Sequence, residues 1–302
     1  MWVTRFQLTS KDNIKQFITD AKNNGINNIF VQVRGGGQCF YKSEVEQRAD
    51  VVTSDFDPLE YAVDQAHRNG LKIHAWVNMF YVWSKHEDPP ISHIAGIHSD
   101  WLIKDKYGNS DNVEGLFLNP ADKNVQSYLT SICIEIAKKY NINGLHLDYI
   151  RYPNASFGNE NGNDIRCQQI TGLVESIYYK LSHVNSNVEL SAAVYPDITL
   201  AKLQKAQDWK KWLESGILDF VVPMAYRKTN EQFKDEMSAA AAIKTNKYIL
   251  AGIGTYLVSR EVFSQQVKTV RDIEKTYPKL KGWVLFSYDF LKSNRDYWNE
   301  IK

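Results

Sequence analysis

Three cysteines in 302 residues, Cys39, Cys133 and Cys167, show no metal-ligand spacing, and their odd number argues against a complete disulfide framework. Reduced thiols are the expectation. An excess of charge of one sign is lacking too. The formal net charge is +1, which offers no electrostatic pull to a nucleic acid or another polyanion. No run of about 18 apolar residues exists to span a bilayer. The opening Met1-Trp2-Val3-Thr4-Arg5-Phe6 has neither the basic start nor the apolar run of an export signal. The chain therefore reads as soluble, without a membrane partner: cytoplasmic if complete, secreted or periplasmic if a leader was trimmed. Gly35-Gly36-Gly37 lacks the later glycine and the Lys-Ser/Thr of a nucleotide loop. The triplet is expected to turn sharply and let Arg34, on the face of Gln32, project into a mouth.

What is present is aromatic and periodic. Hydrophobic residues make up 43% of the chain, with 8 Trp, 17 Tyr and 13 Phe, enough for a large core and for rings that stack on the C–H faces of sugars. Short apolar runs alternate with helical periods. Strands are expected at 2–6, 29–34, 71–78, 144–153, 188–195, 219–226, 248–256 and 282–289, the fourth stopped by Pro153. Helices are expected from Ser10 to Gly25, Asp57 to Gly70, Asn119 to Tyr140, about Asn163 to His183, Trp209 to Gly216, Glu231 to Ile243 and Glu261 to Tyr277. The segment from Met79 to Asn119 has weak periodicity, and so long an excursion in a compact domain is usually functional. A polar loop is expected from Asn154 to Asn163. Eight apolar strands alternating with helices predict a parallel sheet covered outside, closed into an α/β, (β/α)₈ TIM barrel, a single domain over residues 1–302.

In that fold the active site lies at the carboxyl ends of the strands. Those ends are expected to carry Arg34, Asn78, Asp148, Asp197, Tyr226, Tyr256 and Asp289. The central stretch is Gly144-Leu145-His146-Leu147-Asp148-Tyr149-Ile150-Arg151-Tyr152-Pro153. Read with a two-residue period, Leu145 and Leu147 face one way and His146 and Asp148 the other. A carboxylate ending an apolar strand belongs in a mouth or in a polar network, because burying it unpaired costs several kcal/mol, roughly. Asp148 is accordingly the first catalytic candidate, with a structural bond to Arg151 or a loop amide as the competing role.

Seven segments together resemble the bacterial glycosyl-hydrolase-like family ten barrels: Val31 to Gly37, Asp57-Pro58-Leu59, His74-Ala75-Trp76-Val77-Asn78, His98 to Trp101, Leu118-Asn119-Pro120, Gly144 to Pro153, and Phe286-Ser287-Tyr288. They span the chain in family order. The resemblance implies a TIM barrel acting on, or binding, a glycan, with amino-sugar polymers of the bacterial cell wall as the leading substrate class. Many relatives carry an Asp-Asp-Tyr where this chain reads Asp148-Tyr149-Ile150, so the usual second acid is missing here.

Cleaving a glycosidic bond normally takes two carboxylates about 5 to 9.5 Å apart. Asp148 supplies one; Asp197 and Asp289 are the candidates for the second, with Glu114 as an outsider. On a substrate carrying an N-acetyl group, the acetamido carbonyl can itself be the nucleophile, and one protein acid then suffices. Arg34, His74 and Asn78 are candidates for holding hydroxyl or acetamido groups. Trp76, Tyr152, Tyr226 and Tyr288 are candidates for stacking or phenolic donation. His74 and His146, deep in their strands, are also site candidates but weigh more as satisfied core histidines; for Trp76 a plug of the barrel is an equal reading. Without a His-x-His on the first strand or clustered acids, neither a metal nor another cofactor is expected. The alternative to a hydrolase is a carbohydrate-binding barrel that has lost catalysis.

Overall fold

In the computed structural model, which describes residues 1–301 except 54, 85–86, 111–112, 155 and 158–161, eight parallel strands run in sequential order around a nearly closed barrel. They are β1 (Trp2–Val3), β2 (Asn28–Gly35), β3 (Lys72–Asn78), β4 (Gly144–Asp148), β5 (Glu189–Val194), β6 (Phe220–Pro223), β7 (Tyr248–Gly254) and β8 (Leu280–Phe286). The TIM-barrel expectation holds. β1 pairs with β2 through only two positions, Trp2 opposite Phe30 and Val3 opposite Val31. At the seam between first and last strands, Thr4 Oγ1 and Gln7 Nε2 donate to the Asp289 carboxylate at 2.9 and 2.7 Å.

Two apolar layers follow from the strand period. Side chains facing inward, among them Trp2, Phe30, Trp76, Phe220 and Val284, fill the barrel. Those facing outward, such as Val31, Ile73, Leu145 and Leu147, pack against the helices. Inside, the His74 ring stacks on Phe30 at 4.6 Å. A Cβ on residue 144 would stand 2.0 Å from His74 Nδ1, so β4 must start with glycine for the imidazole to fit.

The covering helices begin where capping chemistry dictates. They are α1 (Lys11–Asn23), α2 (Pro58–Arg68), α3 (Lys123–Lys139), α4 (Gly162–Val184), α5 (Ile198–Lys205), α6 (Trp209–Glu214), α7 (Asn230–Ala241), α8 (Arg260–Thr276) and α9 (Tyr288–Ser293). Ser10 caps α1, Asp57 caps α2 ahead of Pro58, and Ser259 caps α8. α3 starts later than Asn119-Pro120 suggests, because the Asp122 carboxylate takes the free N–H groups of Asn124 and Val125. The buried stripe of α1, Ile14, Phe17, Ile18 and Ala21, is the one its periodicity indicates. Among the described residues no helix is long and apolar enough to cross a membrane. The three cysteines are free and buried.

Most strands end earlier than their composition suggests, β1, β6 and β8 by three residues each. β1 stops at Val3 and passes into a 3₁₀ turn over Arg5–Thr9, and β8 stops at Phe286 with α9 starting two residues later. The long excursion after β3 folds back as an antiparallel pair, Tyr81–Trp83 with Leu116–Phe117, and carries a helical turn at Ile94–Ile97. Residues 85–86 and 111–112 of that excursion, and 155 and 158–161 of the polar loop 154–163, lie outside the described residues.

Candidate active site

At the carboxyl end of the strands lies a cavity of about 400 Å³, within the usual range for small-ligand sites of about 300–1,000 Å³. Its floor is Trp2, Trp76 and Phe286; its walls include Gln32, Asn78, Asp148, Tyr226 and Tyr256 from the strand ends. Loop residues Arg5, Tyr81, Tyr149 and Arg151 complete it. Among the described residues that line it, Asp148 alone carries a carboxylate.

Asp148 ends β4 opposite Asn78 on β3. Trp76 Nε1 donates to its Oδ2 at 3.0 Å, and the Tyr149 backbone N–H donates to Oδ1 at 2.7 Å. Tyr149 pays for that second bond by taking φ +51°, a left-handed conformation that is uncommon and strained for a bulky residue. Its ring is held by stacking on Tyr81 at 4.6 Å and by the Arg151 guanidinium 4.8 Å above it. Burial pushes the Asp148 carboxyl up to about 6, against the opposing pull of the Tyr149 amide, Arg151 and Trp76. Desolvation wins because the two hydrogen bonds stand in for a full water shell. At neutral pH about one such group in ten then holds its proton.

A relay of amides crosses the floor. The Arg5 backbone N–H and Nη1 both donate to Gln32 Oε1 at 3.2 Å, and Gln32 Nε2 donates to Asn78 Oδ1 at 3.3 Å. Asn78 Nδ2 and the Tyr226 hydroxyl have no hydrogen-bond partner among the described residues, so both are available to a ligand. The Tyr226 ring stacks on Phe286 at 5.6 Å.

Of the expected site residues, Trp76, Asn78, Asp148, Tyr226 and Tyr256 thus meet at one cavity; the others are placed elsewhere. Arg34 is fully buried beside the cavity rather than projecting into a mouth, because a bulge between Gln32 and Arg34 rotates it off the inward face. It forms an ion pair with Glu46 at 2.7 Å and donates to the backbone oxygens of Asn78 and Met79. His74 and His146 sit in the closed interior below the cavity. His146 Nε2 accepts from Trp2 Nε1 at 3.2 Å, its Nδ1 meets Ser191 Oγ at 2.9 Å, and His74 Nε2 meets Asn28. Burial holds both neutral, His74 down to about 3 and His146 well below its ordinary value. Tyr152 is buried with its hydroxyl on Gln169.

Tyr288 lies in α9, packed on Phe17 with its hydroxyl on Asp20 at 2.9 Å, because β8 has already ended. For the same reason Asp289 faces the seam, where its oxygens accept from Thr4, Gln7 and Ser287. Asp197 is the cap of α5, accepting from the Leu200 N–H at 2.8 Å. Glu114 is bound to Arg151 at 2.5 Å and Lys205 at 3.1 Å; it reaches Asp148 only through its field, which helps raise the Asp148 pKa. Arg5, Tyr81, Tyr149 and Phe286 were not anticipated as lining residues. For Arg5 and Phe286 the reason is the true end of their strands, three residues earlier in each case than apolar content indicates.

The chain matches the family described as glycosyl hydrolase-like 10 over residues 1–172 and 161–277. It is 22% identical to the glycosyl hydrolase DigH of Escherichia coli (strain K12) over 329 aligned residues, covering 88% of this chain and 73% of that one. It is 24% identical to the glycosyl hydrolase YngK of Bacillus subtilis (strain 168) over 268, covering 74% and 51%. Among solved structures, the PgaB (BpsB) glycoside hydrolase domain from Bordetella bronchiseptica superposes with a TM-score of 0.77 at 11% identity, over 100% of this chain and 97% of that one, a likeness of fold. With both the matched segments and the barrel in agreement, this chain belongs to the glycosyl hydrolase-like 10 family.

Proposed function

We propose that this chain is a glycoside hydrolase, one domain over residues 1–302, that cleaves a polysaccharide of N-acetyl amino sugars such as peptidoglycan glycan strands. The observation that carries this reading is the Asp148 carboxyl, raised to about 6 at the wall of a cavity of about 400 Å³. A group with that pKa can hold a proton for the leaving glycosidic oxygen and still exchange it near neutrality. Family membership and the names of DigH and YngK support the same chemistry.

The single carboxylate favours an N-acetyl substrate. Without a second acid on the opposite wall, the nucleophile is the substrate's own acetamido carbonyl, which attacks the anomeric carbon as Asp148 protonates the leaving oxygen. Water then opens the resulting ring, giving its proton back to Asp148. Asn78 Nδ2 and the Tyr226 hydroxyl are the donors suited to orienting the acetamido oxygen, and Trp76, Tyr226 and Phe286 offer ring faces to the sugar.

The test is the release of reducing ends from stripped glycan strands and chitin oligomers by wild type and D148N, with binding measured in parallel. Loss of turnover with retained binding is expected of D148N. A wild type that binds these strands and releases no ends supports instead the carbohydrate-binding barrel, the reading favoured by the engagement of Asp197 and Asp289 with their own neighbours. If wild type neither binds nor cleaves them, both readings fail for this substrate class.

A further inference from the structure

Arg5 stands between two hollows. One is the cavity of Asp148; the other, of about 310 Å³, lies over the turn after β2 and is lined by Gly35, Gly36, Gln38, Trp83 and His93 among others. Arg5 is the residue that lines both. Its position is built from three sides. Gln32 Oε1 accepts from its backbone N–H and from Nη1, and its guanidinium lies 4.6 Å over the Phe6 ring. On the third side Gly35 leaves the space open: a Cβ there would stand 3.0 Å from Arg5 Nη1 and 3.1 Å from its Cδ. Gly35 and Gly36 form in this arrangement the bed of a guanidinium, whereas Gly37 lies against His93.

What the position lacks is an acid. The other two arginines around the cavity are answered, Arg34 by Glu46 and Arg151 by Glu114. Among the described residues no carboxylate forms an ion pair with Arg5. Asp50, at the edge of the second hollow, is exposed and, among the described residues, forms no hydrogen bond or ion pair with Arg5. A guanidinium held partly out of water by a fixed amide and a ring, with its charge unanswered, is a receptor for a planar anion.

Resting on the reading of the cavity as a glycan site, we propose that Arg5 is a specificity-determining residue that binds a carboxylate borne by the glycan, on a lactyl ether or a uronate, where the chain passes from the cavity into the second hollow. A neutral polymer of the same length loses this contact, and a lysine at position 5 reproduces the charge without the forked donors.

The experiment compares stripped glycan strands with their lactyl carboxylates free or converted to methylamides, for wild type, R5Q, R5K and G35A. Calorimetric affinity and, where ends are released, kcat/KM are both read. Wild type is expected to prefer the free acid by about tenfold or more, a difference of about 1.4 kcal/mol. R5Q is expected to bring that ratio close to one, and R5K and G35A to fall between, G35A because its methyl group shifts the guanidinium by a few tenths of an ångström. Wild type treating the two strands alike and an oligogalacturonate like its methyl ester, or R5Q keeping whichever preference wild type shows, overturns the proposal. A preference for an oligogalacturonate over its methyl ester, lost in R5Q and stronger than that for the lactyl acid, supports it and assigns the carboxylate to a uronate. Binding without release of ends removes the hydrolase and leaves the affinity ratio to decide on Arg5. Binding of none of the four polymers removes the glycan site and this proposal with it.

Discussion

His146 and Asp148 are two residues apart on β4 and face the same way, yet burial has opposite consequences for them. His146 lies in the closed interior, with both ring nitrogens engaged by Trp2 and Ser191 and its charge suppressed. Asp148 lies one layer up, equally shielded but with a wall open to a cavity, and its neutral form is favoured without being enforced. Desolvation alone therefore does not mark a functional group. What marks it is desolvation at a place a substrate can reach, with a pKa left inside the working range.

The widest separation of the two residues is expected in turnover. D148N should lower kcat by about 10³-fold, in the range removed with a general acid, while glycan binding persists. H146A should instead act on stability, costing about 3 kcal/mol by opening a void and leaving the Trp2 N–H unpaired. Chemical denaturation of H146A checks this, and its turnover per folded molecule should fall far less than that of D148N.

The next effect is in pH. A carboxyl raised from 3.8 to about 6 in the folded state holds its proton after the unfolded chain has released it. Its contribution to stability is therefore complete below pH 3.8 and lost as pH rises through about 6. Between pH 4 and 7.5 wild type should lose about 2–3 kcal/mol relative to D148N, read from urea midpoints at the two pH values. The smallest effect is that of W76F. Removing the N–H that favours the ionised form should move the basic limb of the pH–rate profile upward by about half a unit to one unit. An unmoved limb would show that Trp76 is a plug and not a tuner of the acid.

The βα alternation was legible because each strand is an apolar run and the first helices start at a capping residue, as at Ser10 and Asp57. Asp148 was legible because the period of β4 is unbroken up to its last residue. Arg34 was misplaced because a bulge breaks that period on β2 and leaves no mark in composition. Tyr288 and Asp289 were misplaced because the apolar run of β8 continues into α9, so the sequence alone does not show where pairing stops. Asp197 carried its own signal. An aspartate three residues before the N–H it caps announces a helix, and α5 follows it. Arg5 became visible only once β1 ended at Val3 and the glycine turn was seen beneath its side chain.

Catalysis by this site depends on the protonation of one carboxyl, and ¹³C NMR of the Asp148 side chain across a pH titration reads it directly. A midpoint near pH 6, set apart from the remaining aspartates and absent in D148N, is the predicted result. A midpoint at or below about 4, the ordinary value for a solvated aspartate, would contradict it.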